Sequence, residues 1–329
     1  MTTEDVFKAV QDYINDPPLM LIGTGASIPM GISGMWKLAQ HLQCKLDKKY
    51  ALDVTWSTVS EKLNSGTDLE SALTDCHLSV ELLNDIKCAT WELVTRDDLK
   101  LFREKVLLNA ELPLATIIRK LIGTSRGKLD IITTNYDRYI EYCCDRCGLK
   151  IDNRYSGMYR KQIVTDDVRK RDIVNLLKVH GSLDSFTDNL TGESISIPLQ
   201  ESIPNGFTPE IITPGSDKYQ TLLTTTSNRA ILHVTDSLIS NATNFLCIGY
   251  GFNDSQIQQN IITKIKSDTP IVVVTKELSD NAFGLISNNS KNFAVILDGG
   301  DNNTRFIINR EETLLDGSYW TLDGFKEIL

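Results

Sequence analysis

The most informative stretch of the sequence is Leu19-Met20-Leu21-Ile22-Gly23-Thr24-Gly25-Ala26-Ser27, where a short apolar run passes directly into a glycine-containing turn. A continuous run of four apolar residues is typical of a strand that is buried on both faces of a parallel sheet. Five further runs rich in Ile, Leu or Val follow at intervals that leave room for helices: Leu129–Thr133, Leu176–Val179, Phe245–Ile248, Ile271–Thr275 and Phe293–Leu297. The pattern predicts a Rossmann-like, doubly wound α/β fold with a mostly parallel sheet of six strands.

Helices are expected between these strands. Asp137–Cys147 and Asp254–Lys266 each place apolar residues on one face at helical spacing. The span between the first two strands is too long for a simple crossover, and residues 36–122 show leucines three and four positions apart together with Ser, Thr and Asp caps. We therefore predict a helical insertion at about 36–122 that lies beside the sheet, within a single domain covering residues 1–329.

Two segments lack this regularity. Residues 184–215 hold four prolines and little periodicity, which predicts an irregular loop over one edge of the sheet. Residues 300–329 are expected to form a small C-terminal extension, in which Arg305–Asn309 is a strand and a short helix ends the chain.

Composition excludes several classes of partner. The net charge of −9, from 34 Lys and Arg against 43 Asp and Glu, argues against nucleic acid as the main partner. The first five residues are polar and acidic, unlike a signal peptide, and no apolar run approaches the roughly 20 residues that span a bilayer. The seven cysteines are scattered without a disulfide framework, as expected of a reduced cytoplasmic protein.

Glycine and polar residues gather where the predicted strands end, which is where open parallel sheets bind ligands. In Gly23–Ser27 the glycines would let the backbone approach a phosphate, and a following helix start would offer N–H groups to an anion. Ile28 stands where the usual dinucleotide fingerprint has Gly or Ala, so an ordinary dehydrogenase motif is absent. A tight turn without a ligand is the alternative interpretation.

Three further clusters follow later strands: Thr133-Thr134-Asn135-Tyr136-Asp137, His180-Gly181-Ser182 and Gly249-Tyr250-Gly251-Phe252-Asn253-Asp254. Helix capping accounts for Asp137 but leaves Asn135 unexplained, because one cap is enough. His180 is one of four histidines, and a lone histidine is more often structural than catalytic. The last cluster is either a second backbone site for phosphate or ribose, or a turn.

Taken in order, the four clusters resemble the sirtuin-like NAD+-consuming domains, especially the bacterial branch found in antiphage defence systems. The resemblance spans about residues 17–300. It implies that NAD+ is the substrate and that two groups of residues bind it. The glycine loop would hold the pyrophosphate and the late glycine cluster the adenosine half, which assigns binding roles to Gly23, Gly25, Ala26, Ser27, Gly249 and Gly251.

The resemblance also implies roles at the reacting end of NAD+. Asn135 would position the nicotinamide ribose or a water molecule, Asp137 would lie near the nicotinamide, and His180 would be the catalytic base. Nicotinamide leaves as a neutral molecule, so the site must orient the sugar and activate an acceptor rather than protonate the leaving group. A neutral imidazole is suited to take a proton near pH 7.

The chain departs from the family pattern Gly-Leu-Pro-x-Trp after the first loop. Gly31-Ile32-Ser33-Gly34-Met35-Trp36 lacks the proline and places Trp36 one residue late, so the path of this loop over the nicotinamide ribose is not predicted. Protein-deacylating sirtuins carry a zinc ribbon built from two cysteine pairs, whereas this chain has Cys143, Cys144 and Cys147 on one predicted helix and no second pair. Packing explains these three cysteines better, and we expect no metal.

Three functions remain open at this stage. The leading hypothesis is an NAD+ glycohydrolase, because loss of the ribbon argues against a groove for acyl-lysine peptides and favours water as the acceptor. The alternatives are an NAD+-dependent protein deacylase and a module that senses NAD+ or ADP-ribose without turnover. The resemblance further implies control by a separate subunit, such as a ring-forming ATPase/translocase or an Argonaute-like protein, or by homo-oligomerisation.

Overall fold

A nine-stranded sheet forms the centre of the computed structural model, which describes residues 2–74, 76–124, 127–156, 161–163, 173–215 and 226–329. The strands of the protein, in chain order, are β1 (Leu19–Ile22), β2 (Lys128–Thr133), β3 (Lys150–Asp152), β4 (Tyr155–Ser156), β5 (Lys161–Ile163), β6 (Ile173–Lys178), β7 (Gly181–Asp188), β8 (Ser194–Ser196), β9 (Phe207–Ile211), β10 (Phe245–Ile248), β11 (Ile271–Val274), β12 (Phe293–Gly300), β13 (Asn303–Ile308) and β14 (Glu311–Asp316). All six runs predicted as strands are strands of the large sheet.

The large sheet has the order β14-β13-β12-β11-β10-β1-β2-β6-β3, and the six predicted strands pair in parallel. Numbered by their place in the chain, these six strands lie in the order 3-2-1-4-5-6, which is the order of dinucleotide-binding sheets. The predicted count of six is wrong, because β3 adds a parallel edge strand and β13 and β14 add an antiparallel pair at the other edge. β3 has one exposed and two half-buried residues, and the residues of β14 are exposed or half-buried, so neither strand shows a buried apolar run.

The helices of the described chain are α1 (Thr3–Tyr13), α2 (Met35–Leu46), α3 (Val54–Asn64), α4 (Leu69–Leu73), α5 (Val80–Leu101), α6 (Pro113–Thr124), α7 (Tyr139–Arg146), α8 (Thr226–Asn241), α9 (Ser255–Ile265), α10 (Asp280–Asn289) and α11 (Leu322–Ile328). They cover both faces of the sheet. Met20 and Ile22 of β1 pack in a core with α1, α6, α7 and α11, whereas Leu19 and Leu21 pack in a second core with α8, α9 and α10. Because neighbouring strand residues point to opposite faces, one apolar run supplies both cores.

Residues 35–124 contain only helices and turns among their described residues, and α5 has two buried faces. Leu82, Ile86 and Leu93 pack with α2, α3 and α4 in a third core, while Trp91 and Val94 pack in the core under the sheet. The indole N–H of Trp91 donates to the carbonyl of Leu183 in β7 at 2.9 Å. The helical segment is therefore joined to the sheets through α5, and α6 is the helix that leads into β2.

The stretch 184–215, predicted as an irregular loop, instead contains most of β7, together with β8 and β9. They belong to a second, antiparallel sheet with the order β4-β5-β8-β7-β9. The prolines that suggested a loop are compatible with this sheet. Pro209 lies in β9, an edge strand, where a missing N–H group costs little. Pro198, Pro204 and Pro214 lie outside the strands. No described helix has the length and apolarity that crossing a membrane requires.

Candidate active site

The four clusters meet at one cleft of about 850 Å³ at the carboxyl ends of β1, β2, β6 and β10. The chain runs from β1 to β2 on one side and returns through β10 on the other, so the cleft lies at the point where the strand order reverses, the usual ligand site of such sheets. Six of the predicted site residues line it: Gly23, Asn135, Asp137, His180, Gly249 and Gly251. The other three, Gly25, Ala26 and Ser27, do not line the cleft. They lie in a 3₁₀ turn at Thr24–Ala26 and at the residue after it.

The glycine loop differs from the expected helix start. Two 3₁₀ turns, Thr24–Ala26 and Ile28–Met30, follow β1. The next α-helix, α2, begins only at Met35. Four of the five backbone N–H groups in Gly23–Ser27 already donate to carbonyls of the protein: Gly23 to Ile248, Gly25 to Gly249, Ala26 to Gly23 and Ser27 to Thr24. The loop is thus a closed turn rather than an open set of N–H donors.

The glycines allow two loops to touch. A Cβ atom on Gly23 would lie 2.3 Å from the carbonyl oxygen of Gly249, and one on Gly25 would lie 2.7 Å from the Gly249 Cα. Gly249 itself has φ +57°, and its Cβ would lie 2.4 Å from the backbone nitrogen of Ala26. Side chains at these positions would separate the loop after β1 from the loop after β10. Glycine at all three positions therefore allows the two loops to pack against each other at the base of the cleft.

Asn135 is held rigidly with its acceptor oxygen unused. Its backbone N–H donates to Thr133 Oγ1, and its side-chain Nδ2 donates to the Gly23 carbonyl at 3.0 Å and to Ser27 Oγ at 3.2 Å. The residue is 2% exposed, and Oδ1 has no hydrogen-bond partner among the described residues. Because a buried amide oxygen without a partner is costly, the arrangement points to a ligand or water molecule that supplies a donor.

Asp137 lies two residues before α7 and also supports this amide. Its Oδ1 accepts the Tyr139 N–H at 3.0 Å and the Ser27 hydroxyl at 3.1 Å, while Arg138 is the N-cap residue of the helix. Ser27 therefore lies between Asn135 and Asp137, and it orders the site from behind the cleft. Burial raises the pKa of the Asp137 carboxyl, and the positive charge of Lys178 opposes that effect.

His180 contacts a carboxylate that the sequence did not single out. Its Nε2 lies 2.6 Å from Asp254 Oδ2, and the two residues are 6% and 9% exposed. Gly181 follows because the chain turns sharply from β6 into the second sheet: its φ is +84°, and a Cβ would lie 1.9 Å from the Glu210 carbonyl oxygen. The glycine beside the histidine is thus a requirement of the turn, and the carboxylate contact is the feature that bears on chemistry.

The loop after the 3₁₀ turns reaches the cleft in spite of its missing proline. Ile32, Ser33 and Met35 line the cleft, and the Ser33 N–H donates to Asp97 Oδ2 at 3.0 Å. Trp36 is 71% exposed in the first turn of α2 and is not part of the lining. The loop therefore covers the side of the cleft near α5 with two apolar side chains and one hydroxyl.

A family model described as a SIR2-like domain matches residues 130–279. The matched stretch makes up just under half of the chain and is similar to SIR2-like domains. It contains Asn135, Asp137, His180 and the Gly249–Asp254 cluster, whereas Gly23–Ser27 precedes it. A comparison with curated proteins gives no match.

Solved structures of Sir2 enzymes resemble the chain at low sequence identity. Sir2Tm bound to a propionylated peptide has a TM-score of 0.44 at 12% identity, covering 87% of this chain and 91% of its own. A Sir2 structure on enzyme mechanism and regulation has a TM-score of 0.48 at 12% identity, with coverages of 91% and 93%. A Sir2 mutant with a p53 peptide and NAD has a TM-score of 0.43 at 12% identity, with coverages of 87% and 91%.

Two buried cations, Lys178 and Arg138, hold the Asn135–Asp137 loop in place. Lys178, at the end of β6, donates to the carbonyls of Tyr136 and Asp137 and to Glu141 Oε1 at 2.8 Å. Arg138 is bound by the carboxylate of Asp98 in α5 and by Asp184 in β7, at 2.6 and 2.8 Å. The loop that carries the candidate catalytic asparagine is thereby tied to α5, β6, α7 and β7.

The clustered cysteines lie in α7 and at the residue after it. Cys143 and Cys144 are fully buried in the core under the sheet, and Cys147 Sγ contacts the Ala115 carbonyl at 3.2 Å. Burial raises the pKa of the Cys143 and Cys144 thiols, which disfavours the thiolate form that binds metals. Within the described ranges, no group of three or more His, Cys, Asp or Glu residues is placed to hold a metal ion.

Proposed function

We propose that the chain is an NAD+ glycohydrolase, which cleaves the nicotinamide–ribose bond and yields nicotinamide and ADP-ribose. The observation that carries this proposal is the meeting, in one cleft, of Asn135 and the His180–Asp254 pair. Asn135 offers a fixed amide oxygen without a partner among the described residues, and His180 is an imidazole held by a carboxylate. These are the groups needed to orient an attacking hydroxyl and to remove its proton.

NAD+ would lie across the point where the strand order reverses. This is the position at which open parallel sheets of this strand order bind dinucleotides. The Thr24 side and the Gly249–Gly251 loop would take the pyrophosphate and adenosine, leaving the nicotinamide ribose beside Asn135, Asp137 and His180. Because four N–H groups of the loop after β1 are already bonded, Gly25, Ala26 and Ser27 would shape the phosphate site without contacting the phosphates.

The reaction needs no proton donor for its leaving group. The bond between ribose C1′ and the nicotinamide nitrogen breaks, and its electron pair neutralises the pyridinium. A bond forms between C1′ and the oxygen of water, whose proton passes to the His180 imidazole and then to solvent. The Asn135 oxygen would accept a hydrogen bond from that water or from a ribose hydroxyl, which fixes the direction of attack.

One assay separates the three candidate functions. Purified protein is incubated with NAD+, with and without an acetylated peptide, and nicotinamide, ADP-ribose and acetyl-ADP-ribose are quantified by chromatography. Equal amounts of nicotinamide and ADP-ribose, unaffected by peptide, are expected. Acetyl-ADP-ribose that forms only with peptide would assign a deacylase, and bound but unaltered NAD+ would assign a sensor.

We further propose that this activity depletes NAD+ in an infected bacterium, as the resemblance to antiphage domains implies, and that the protein acts in the cytoplasm. Seven free cysteines agree with a reducing compartment. An NAD+ hydrolase without control would poison its own cell. We therefore expect the isolated chain to be weakly active, and to be activated by a partner subunit or by self-assembly. Rapid NAD+ cleavage by dilute, monomeric protein would contradict this expectation.

A further inference from the structure

Asp254 joins the start of α9 to His180. One carboxylate oxygen, Oδ1, accepts the backbone N–H of Ile257 at 3.2 Å, the geometry of a helix cap. The other, Oδ2, lies 2.6 Å from His180 Nε2. The Asp254 carbonyl accepts the N–H of Gln258 at 2.9 Å, so the first turn of the helix also fixes the backbone of this residue. One carboxylate oxygen of Asp254 therefore caps the helix, and the other contacts His180 in the cleft.

We propose that Asp254 is a positioning residue that fixes the tautomer of His180, with the proton on Nε2 and the lone pair on Nδ1. As a statement about turnover, the proposal rests on the proposed NAD+ glycohydrolase activity. The N–H groups and dipole at the start of α9 favour the ionised carboxylate, which can only accept hydrogen bonds. Nε2 must then be the donor in the 2.6 Å contact. A neutral imidazole carries one N–H, so Nδ1 is left as the acceptor.

The atom that takes the proton during the reaction is therefore Nδ1. As the oxygen of the attacking water forms its bond to C1′, the water gives up a proton. The proton passes to Nδ1 directly, or through a ribose hydroxyl that gives its own proton to Nδ1 and takes the proton of the water. The resulting imidazolium keeps its contact with the Asp254 carboxylate, which stabilises the positive charge. The carboxylate does not take up the proton, and its role is to keep the correct nitrogen available.

Two substitutions at Asp254 distinguish this role from capping alone. Asp254→Asn has one acceptor oxygen, which the cap to Ile257 requires, so its NH₂ group would face His180 Nε2 and donate to it. That contact forces the proton onto Nδ1 and blocks the base, and kcat is expected to fall about 10²–10⁴-fold while KM changes little. Asp254→Ala removes the cap and leaves His180 free to adopt either tautomer. Its kcat is therefore expected to exceed that of the Asn variant, although its melting temperature is lower.

The Asp53→Asn variant is the matched control. Asp53 caps α3 through the same type of bond, from the Trp56 N–H to Oδ1 at 2.8 Å, and it is not part of the cleft. This variant repeats the chemical change of Asp254→Asn at a helix start, so its kcat should equal that of the wild type. A purely capping role for Asp254 predicts the opposite order at that site, with Ala the more damaging substitution for both stability and activity.

The tautomer is measured directly, without NAD+ turnover, by long-range ¹H–¹⁵N correlation spectra of the full chain. The four histidines give four ring patterns, and the His180 pattern is assigned by its loss in His180→Ala. The expected result is an Nε2–H tautomer in the wild type and an Nδ1–H tautomer in Asp254→Asn. An Nδ1–H pattern in the wild type, or a folded Asp254→Asn protein with wild-type kcat, would overturn the proposal. Absence of NAD+ cleavage by the wild type would instead reject the proposed function and leave the tautomer to the spectra.

Discussion

Replacing His180 by alanine tests the chemistry and also has a cost in stability that the structure lets us calculate. The substitution removes the proton acceptor, so turnover should fall about 10²–10⁴-fold. It also removes the 2.6 Å contact between His180 Nε2 and Asp254 Oδ2, in residues that are 6% and 9% exposed. The loss of a hydrogen bond to a charged group costs about 1.5–3 kcal/mol. With an unfolding entropy of about 2.1 cal/mol/K per residue, a chain of 329 residues should lose about 2–4 °C in melting temperature.

A modest loss of stability therefore does not by itself make His180 a structural residue, and the readouts must be compared. NAD+ cleavage is followed by chromatography, NAD+ binding by calorimetry and unfolding by differential scanning fluorimetry. The His41→Ala variant is the control, because His41 lies on α2, outside the lining of the cleft. We expect wild-type turnover in the control, and near-normal NAD+ affinity with very little turnover in His180→Ala. A His180→Ala protein that keeps a tenth or more of wild-type turnover would refute the base assignment.

Three further predictions follow from the contacts around the cleft. Gly249→Ala should lower both stability and turnover, because its Cβ would lie 2.4 Å from a backbone nitrogen at a φ of +57°. Gly251→Ala should fold normally, since the atom nearest to its Cβ is a side-chain nitrogen at 3.5 Å. Thermal melts of the two variants measure the difference. Lys178→Met should lower the free energy of unfolding by about 3 kcal/mol in urea titrations. This is the lower end for a broken buried ion pair, because the Glu141 side chain is 18% exposed. Adding Glu141→Leu should recover part of the loss. Elemental analysis of untagged protein should give less than a tenth of a zinc per chain, and a value near one would overturn the packing role of the α7 cysteines.

The sheet was predictable because its central strands are buried on both faces. Leu19–Ile22 supplies side chains to two cores, so every position is apolar and the run is visible without any structure. The second sheet was missed for the opposite reason. β8 has three residues, two of them serines, and β9 contains Pro209, so neither shows an apolar run. Such strands are specified by their pairing partners, which a local pattern does not reveal.

The grouping of the candidate site residues was predictable to the extent that strand ends meet. Asn135 and His180 follow neighbouring strands, β2 and β6, and a parallel sheet brings such positions to one edge. The contact of Asp254 with His180 was not predictable, because an aspartate at the start of a helix is ordinarily a cap and the two residues are 74 positions apart. The N–H groups of Gly23–Ser27 were wrongly expected to be free, since only the structure shows that the loops after β1 and β10 bond to each other.

We propose that this cleft hydrolyses NAD+ with water as the acceptor, and a single-turnover experiment is the sharpest test of that reaction. Excess protein compensates for weak activity in the isolated chain. The wild type and the Asn135→Ala variant are each mixed at high concentration with a smaller amount of NAD+, and nicotinamide and ADP-ribose are measured over time. We predict that the wild type converts the NAD+ into equal amounts of the two products and that Asn135→Ala leaves it intact. Bound NAD+ that the wild type leaves uncleaved would contradict hydrolysis in this cleft, and equal cleavage by both proteins would contradict the role of Asn135.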